Sequence, residues 1–272
     1  DHRLRGAESR EDARFCRRVC AALGVQLVSG TWQDRRRRGA SEAEARAARL
    51  AFFRRHARVV WLGHQQDDVA ESMLMRLARG SGAGGLAAPR PVQVFADGRV
   101  HLRPLLTLKK AEIAGALRTA GIAWREDSSN AADRFFRNRI RRRVMPAWVE
   151  AARRDAAAGA ARSRMLLEED DAALEGWLDK LAPLDAQGRL RLARLRGCPR
   201  ALRRRALHRW LTRNPATGEP ARQAVDALLA GVEKGRRIRQ SLGKKGFAVS
   251  DGRHLRYEEA ARVPRRIRRR AN

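Results

Sequence analysis

Three kinds of residue pattern are missing from this sequence, and each absence excludes something. Cysteine is scarce: Cys16, Cys20 and Cys198 are the full set, and no two form a Cys-x-x-Cys pair. An odd, sparse set argues against a disulfide framework and against a cysteine-held zinc or iron–sulfur centre, so no resident metal site is assigned. Cys16 and Cys20 lie one helical turn apart, a spacing that suits inert thiols in a core. Long hydrophobic runs are also lacking; none approaches the ~20 apolar residues that cross a bilayer. Behind Asp1, His2 and Arg3 no apolar segment follows, so no signal peptide is read. These absences point to a soluble, cytoplasmic protein with no membrane partner.

Negative charge is the third shortage. Thirty Asp and Glu face 60 Lys and Arg, a formal net charge of +30 in 272 residues. Such an excess implies a polyanionic partner, most commonly nucleic acid. The positive charge is nearly all Arg among much Ala and Gly, so part of it reflects codon composition. A hydrophobic fraction of 43% is enough to build cores.

Up to about residue 125 strands alternate with helices. A helix is predicted over 8–23, with Phe15, Val19, Ala22 and Leu23 as its apolar stripe. Val25–Val28 reads as a short strand. A capping box of Ser41 and Glu44 opens a second helix to about His56. Val59–Leu62 reads as a strand buried on both faces, and 67–77 as a helix. Residues 80–91 form a Gly- and Pro-rich loop. A hairpin turns at Ala96-Asp97-Gly98, a helix covers 108–120, and Ile122–Trp124 is a short strand. From 133 the pattern turns helical: 133–150, 151–181, 199–213 and 220–232. Short strands follow at Ile238, 247–249 and 255–257. The expected class is α/β, an incomplete doubly wound parallel sheet at 1–148. A mainly helical, basic domain at 149–260 and a basic tail at 261–272 complete it.

Four motifs carry chemistry. Gly63-His64-Gln65-Gln66-Asp67-Asp68-Val69-Ala70-Glu71 joins a strand to a helix, the place where open α/β sheets bind ligands. A capped helix start with dipole-matched acids is the plain alternative. Arg79 to Leu86 offers glycines that could approach phosphate, or a simple helix end. Arg103, fixed by Pro104 at a strand end, is placed to clamp a phosphate, or is a surface Arg before a turn. Trp124 to Arg141 crowds acids, hydroxyls and Asn130 into one loop, followed by a helix rich in Arg. The alternative there is an N-cap region with a solvated basic face.

The order of these motifs resembles that of the bacterial tRNA(Ile)-lysidine synthases within the N-type ATP pyrophosphatases. The matching strings are DHRLR at Asp1–Arg5, GHQQDDVAESMLMRLARGSG at Gly63–Gly82, RPLL at Arg103–Leu106, and WREDSSN…RFFRNRIR at Trp124–Arg141. The resemblance implies ATP and Mg²⁺ as cofactors, with tRNA(Ile) bearing a CAU anticodon and free L-lysine as partners. A homodimer is among the assemblies it allows. It implies a two-step ligation: adenylation of the wobble cytidine, then attack by the lysine amine to give lysidine. By the same resemblance His2, His64, Asp67 and Asp68 border ATP. Arg103, Glu126, Asp127 and Asn130 serve the adenylate and lysine. Arg79, Arg137, Asn138, Arg139 and Arg141 face tRNA. The family's SGGxDS phosphate loop does not occur in this sequence, so the chain by itself is expected to be inactive or a piece of a longer enzyme. Two other readings stay open: a non-catalytic RNA-binding remnant, and a related tRNA-modifying enzyme such as a cytidine thiolase, which ordinarily needs clustered cysteines.

Overall fold

The computed structural model describes residues 1, 6–32, 42–126, 135–214, 221–243 and 246–260. The chain divides into two compact units, Asp1–Glu169 and Asp170–Asn272, and each is described by itself.

In the first unit, helix α1 spans Ala7–Ala22 and α2 Glu42–His56. Strand β1, Val59–Trp61, leads to α3, Gln66–Leu77, and the short α4, Ala83–Leu86. Strands β2, Val92–Val94, and β3, Val100–Leu102, form the expected hairpin. Its turn places Gly98 at φ 77°, a left-handed conformation that glycine adopts without strain. Helix α5 covers Lys110–Thr119. Helix α6, Phe136–Arg139, runs through a π-helical turn at Ile140–Val144 into α7, Met145–Ala152. Helix α8, Ala156–Leu181, lends its residues up to Glu169 to this unit and the rest to the second.

The sheet order is β1-β3-β2. Parallel pairing sets Val60 opposite His101, and antiparallel pairing sets Gln93 opposite His101 on the other side. His101 is therefore central, enclosed by Phe95 and Phe53 with ring centroids 4.7 and 6.3 Å away. The apolar cluster is small: Ala70, Met73, Ala157 and Ala160, with Leu86, Met145, Trp148 and Leu167 against it.

Several expectations are corrected here. Val25–Val28 and Ile122–Trp124 are not strands. A strand needs a neighbour for its N–H and C=O groups, and the backbone N–H of Val25 instead closes α1 by bonding to Cys20 O at 2.9 Å. The second helix ends on schedule, but β1 is not buried on both faces. It is an edge strand, with Val59 and Trp61 exposed. Ala22 and Leu23 are exposed too, so the α1 stripe is only partly covered, and none of the three cysteines is buried.

The second unit joins its helices to a sheet. Beside α9, Arg200–Arg213, and α10, Arg222–Glu233, it holds a four-stranded antiparallel sheet of order β4-β7-β6-β5. These strands are β4, Leu190–Arg191, β5, Ile238–Ser241, β6, Gly246–Ser250, and β7, His254–Glu259. The strand signals at 247–249 and 255–257 were short in sequence because glycine or polar residues hold the strand ends: Gly246 and Ser250 flank Phe247–Val249, and His254, Glu258 and Glu259 flank Leu255–Tyr257. Leu178, Leu190, Leu195, Leu207, Trp210, Leu228, Leu229 and Leu255 form one core between helices and sheet.

Candidate functional site

The parallel pair β1–β3 ends where its ladder delivers Leu62 N–H to Leu102 O at 2.8 Å. Past that point the chain turns through Gly63, His64 and Gln65 into α3, and on the neighbouring strand Arg103 follows directly. The helix begins with a reciprocal cap: Gln65 N–H donates to Asp68 Oδ2 at 2.9 Å, and the Gln65 side chain receives the third helical N–H. Asp67 turns to the next element, accepting the Lys110 N–H at 2.9 Å and so capping α5. Both aspartates of the motif thus hold helix starts.

Arg103 is the least ordinary side chain. It is only 6% exposed. Nη1 donates to Arg90 O at 2.8 Å and Nη2 to Gln93 Oε1 at 3.0 Å, both neutral acceptors. Among the described residues no carboxylate pairs with it, and its Nε has no partner. A buried cation without a counter-charge is costly unless an anion completes it. His64 lies in the same neighbourhood. Burial pushes its pKa down to about 4; Asp68 opposes that shift, and Arg103, Arg137 and Arg46 reinforce it. The ring is neutral near pH 7, and its Nδ1 is buried without a partner among the described residues. Gln66 Oε1 and His101 Nε2 are likewise buried and unpartnered there.

A second cluster abuts the first through Asp68. Glu71, 2% exposed, accepts Arg137 Nε at 2.8 Å, Arg141 Nε at 2.5 Å and Arg141 Nη2 at 3.1 Å. Asp68 Oδ1 accepts Arg137 Nη2 at 2.5 Å. Arg137 and Arg141 are one turn apart, so both guanidinium groups reach the same carboxylate. The helix that sequence reading turned toward RNA therefore spends two arginines on α3. Asn138 is buried, Arg139 lies 5.7 Å from the Phe136 ring centroid, and Arg79 is exposed at the end of α3. Glu126 is exposed, while its neighbour Arg125 pairs with Glu11 and Asp12 of α1. His2, Asp127 and Asn130 lie outside the described residues.

Among the described residues no group of three or more His, Cys, Asp and Glu lies together to hold a metal. Asp67, Asp68 and Glu71 each accept N–H donors, Asp67 through Oδ2. Sequence reading missed Glu71 and Gln66 as side chains of consequence. Glu71 stood in the quoted motif, four residues after Asp67, the helical spacing that puts carboxylates on one face.

An α/β unit whose parallel strand ends gather a buried Arg with no carboxylate partner among the described residues, a neutral His and a capped helix start has the chemistry to accept a small anion. Residues 1–148 match the family model described as "PP-loop domain" (ATP_bind_3), and the chain belongs to that family. It is 44% identical over 156 residues to the tRNA(Ile)-lysidine synthase of Solibacter usitatus, covering 54% of this chain and 33% of the relative. To the tRNA(Ile)-lysidine synthase of Geobacter sulfurreducens it is 37% identical over 241 residues, 83% of this chain and 50% of the relative. For the protein of that name from Azoarcus the figures are 37% over 253 residues, 88% and 52%. The chain thus spans about half or less of the length of these curated relatives. No helix among the described residues is long and apolar enough to cross a membrane.

Proposed function

We propose that this chain carries the nucleotide-handling part of a tRNA(Ile)-lysidine synthase, an ATP-dependent ligase that acts in the cytoplasm on tRNA(Ile) and free L-lysine. In the first step the C2 carbonyl oxygen of the wobble cytidine attacks the α-phosphorus of ATP. An O–P bond forms, the α–β bridging bond breaks, and pyrophosphate leaves. The lysine amine then attacks C2. A C–N bond forms, the C2–O bond to AMP breaks, and the amine gives up a proton.

The observation that carries this reading is the buried Arg103 beyond the end of β3, paired with no carboxylate among the described residues. Its free Nε suits charge that develops on phosphate oxygens. His64, neutral and half-buried beside it, serves as a hydrogen-bond partner and not as a cation. Asp67 and Asp68 shape the border of the ATP site by fixing two helix starts. Glu126, Asp127 and Asn130 are assigned to the adenylate and lysine. Arg79 and Arg139 are assigned to tRNA, and Arg137, Asn138 and Arg141 to the inner edge of that surface. The net charge of +30 supports a tRNA partner. Mg²⁺ would accompany the nucleotide and offset charge on its phosphates.

The test is product formation. The protein carrying this chain is incubated with ATP, Mg²⁺, lysine and tRNA(Ile), and the tRNA is digested to nucleosides for mass spectrometry. Lysidine in the wobble position is expected. Intact tRNA and nucleotide binding with no lysidine overturns the reading in favour of an RNA-binding role.

A further inference from the structure

The anion site at the strand ends has one described cation from the sheet, Arg103, and the sequence motifs supply no second from the helices that flank it. Helix α2 does. Its Phe53 ring meets the ring of His101 edge-on, 6.3 Å between centroids at 89°, so α2 packs over β3. Only Ala57 and Arg58 separate α2 from β1. A link that short reverses the chain, so α2 runs antiparallel to β1 and to its parallel neighbour β3. The start of α2 therefore lies toward the carboxyl ends of the strands.

Arg46 precedes Phe53 by seven residues, two helical turns, and so shares its face. It stands ~10.5 Å nearer the start of the helix. On β3 the step from His101 to Arg103 covers ~6.6 Å in that same direction. Arg46 thus overhangs the end of β3 by a few ångströms, within reach of its long side chain. It is exposed, and among the described residues no carboxylate pairs with it. Its charge is felt by His64, Arg76, His101 and Arg103, all of which it pushes toward the less protonated form. Two converging guanidinium groups repel each other unless an anion lies between them.

We propose that Arg46 is a second phosphate-binding residue of the strand-end site, closing over the same nucleotide phosphate that Arg103 meets from below. This rests on the nucleotide reading given above. The occupant is a small-molecule phosphate and not a nucleic-acid backbone, because Arg103 is buried and a duplex stem cannot enter to meet it. Arg46 would supply what a flexible arginine on a helix does well, a charge-assisted contact formed as the ligand arrives.

The experiment is calorimetric titration of the protein carrying this chain with pyrophosphate and with a non-hydrolysable ATP analogue, and separately with tRNA. Arg46→Gln is expected to weaken both phosphate ligands about tenfold, or ~1.4 kcal/mol. Arg46→Lys, which keeps the charge, should stay within about threefold, a rescue that a structural role would not produce. Arg54→Gln, at the far end of α2, should bind as the parent chain does. Affinity for tRNA should change by less than about threefold in Arg46→Gln. Unchanged phosphate binding in Arg46→Gln overturns the assignment, as does a loss confined to tRNA. If the parent chain binds neither pyrophosphate nor the analogue, the nucleotide reading fails and Arg46 with it. If the parent binds and Arg46→Gln binds equally, the Arg46 assignment fails alone.

Discussion

The two units bury different chemistry. In Asp170–Asn272 the fully buried side chains are Leu178, Leu190, Leu195, Leu202, Leu207, Leu228, Leu229, Leu255 and Trp210, nearly all hydrocarbon. Its arginines are placed outside that core: Arg205 pairs with Asp171 and Glu175, and Arg209 with Glu175 and Asp179. In Asp1–Glu169 the apolar cluster is mostly alanine, and the buried set includes Gln66, Glu71, His101, Arg103, Asn138 and Arg164. A unit that buries polarity forgoes hydrophobic stabilisation, roughly 25 cal/mol for each Å² of apolar area, and depends on satisfying each polar atom. Both units hold buried polar atoms with no partner among the described residues, Arg191 Nε and Trp210 Nε1 in the second; those of the first, on His64, Gln66, His101 and Arg103, gather around β3 and the start of α3.

The comparison breaks most readily in the second unit. Leu207→Ala removes a side chain with no exposure from the middle of its core and should cost about 3 kcal/mol, the usual scale for a cavity of that size. Urea unfolding followed by Trp fluorescence measures it. A loss under ~1 kcal/mol would mean that this core is not the close-packed body described.

In the first unit the corresponding blow is electrostatic. Glu71→Ala leaves Arg137 and Arg141 with Asp68 as their shared carboxylate. Removing one partner of a buried pair costs about 3–5 kcal/mol. Arg137 and Arg141 are partly exposed, so water recovers some of that, and about 2 kcal/mol is expected. In a double-mutant cycle, Arg137→Ala should cost much less in the Glu71→Ala background than in the parent chain. Additive losses would show that the ion pairs in this unit are incidental.

How far the sequence revealed these units follows from the same contrast. The α/β character, the β2–β3 hairpin, the helix starts at Gln66 and Lys110, and the strand-end position of His64 and Arg103 were all legible. Each is set by local signals: a Gly turn, a capping side chain, a switch from β-branched residues to helix formers. The edge position of β1 was not legible, because Val59-Val60-Trp61-Leu62 is apolar whether or not a neighbour covers it. Val25-Gln26-Leu27-Val28 misled for the related reason that strand propensity does not supply a strand to pair with. Arg137 and Arg141 read as a basic surface because their acceptors, Asp68 and Glu71, are about 70 residues away in sequence. The antiparallel sheet of the second unit was under-read because its strands are short and half polar. Arg46 went unmarked, since one arginine in an Ala- and Arg-rich helix carries no local signal, and only the packing of Phe53 on His101 gives its direction.

The smallest effect sharpens the contrast through pH. His64 has a folded pKa of about 4, lowered chiefly by burial, against about 6.5 for an unstructured imidazole. Above pH 6.5 the ring is neutral in both states and contributes no pH dependence. As pH falls from 6.5 toward 4, the unfolded chain takes up a proton that the folded chain refuses, so stability is lost across that window. With solvent screening of a half-buried ring the loss is about 1 kcal/mol. In His64→Gln that component should disappear, and unfolding of the first unit should become flatter between pH 6.5 and 4. The buried cluster of the second unit contains no imidazole, so the substitution should leave its unfolding unchanged across the same window. A direct check is the imidazole titration by NMR. A His64 midpoint near 6.5 would mean that water reaches the ring freely. The strand ends would then be an open surface, and the buried charge of Arg103 could no longer be taken as the mark of an anion site.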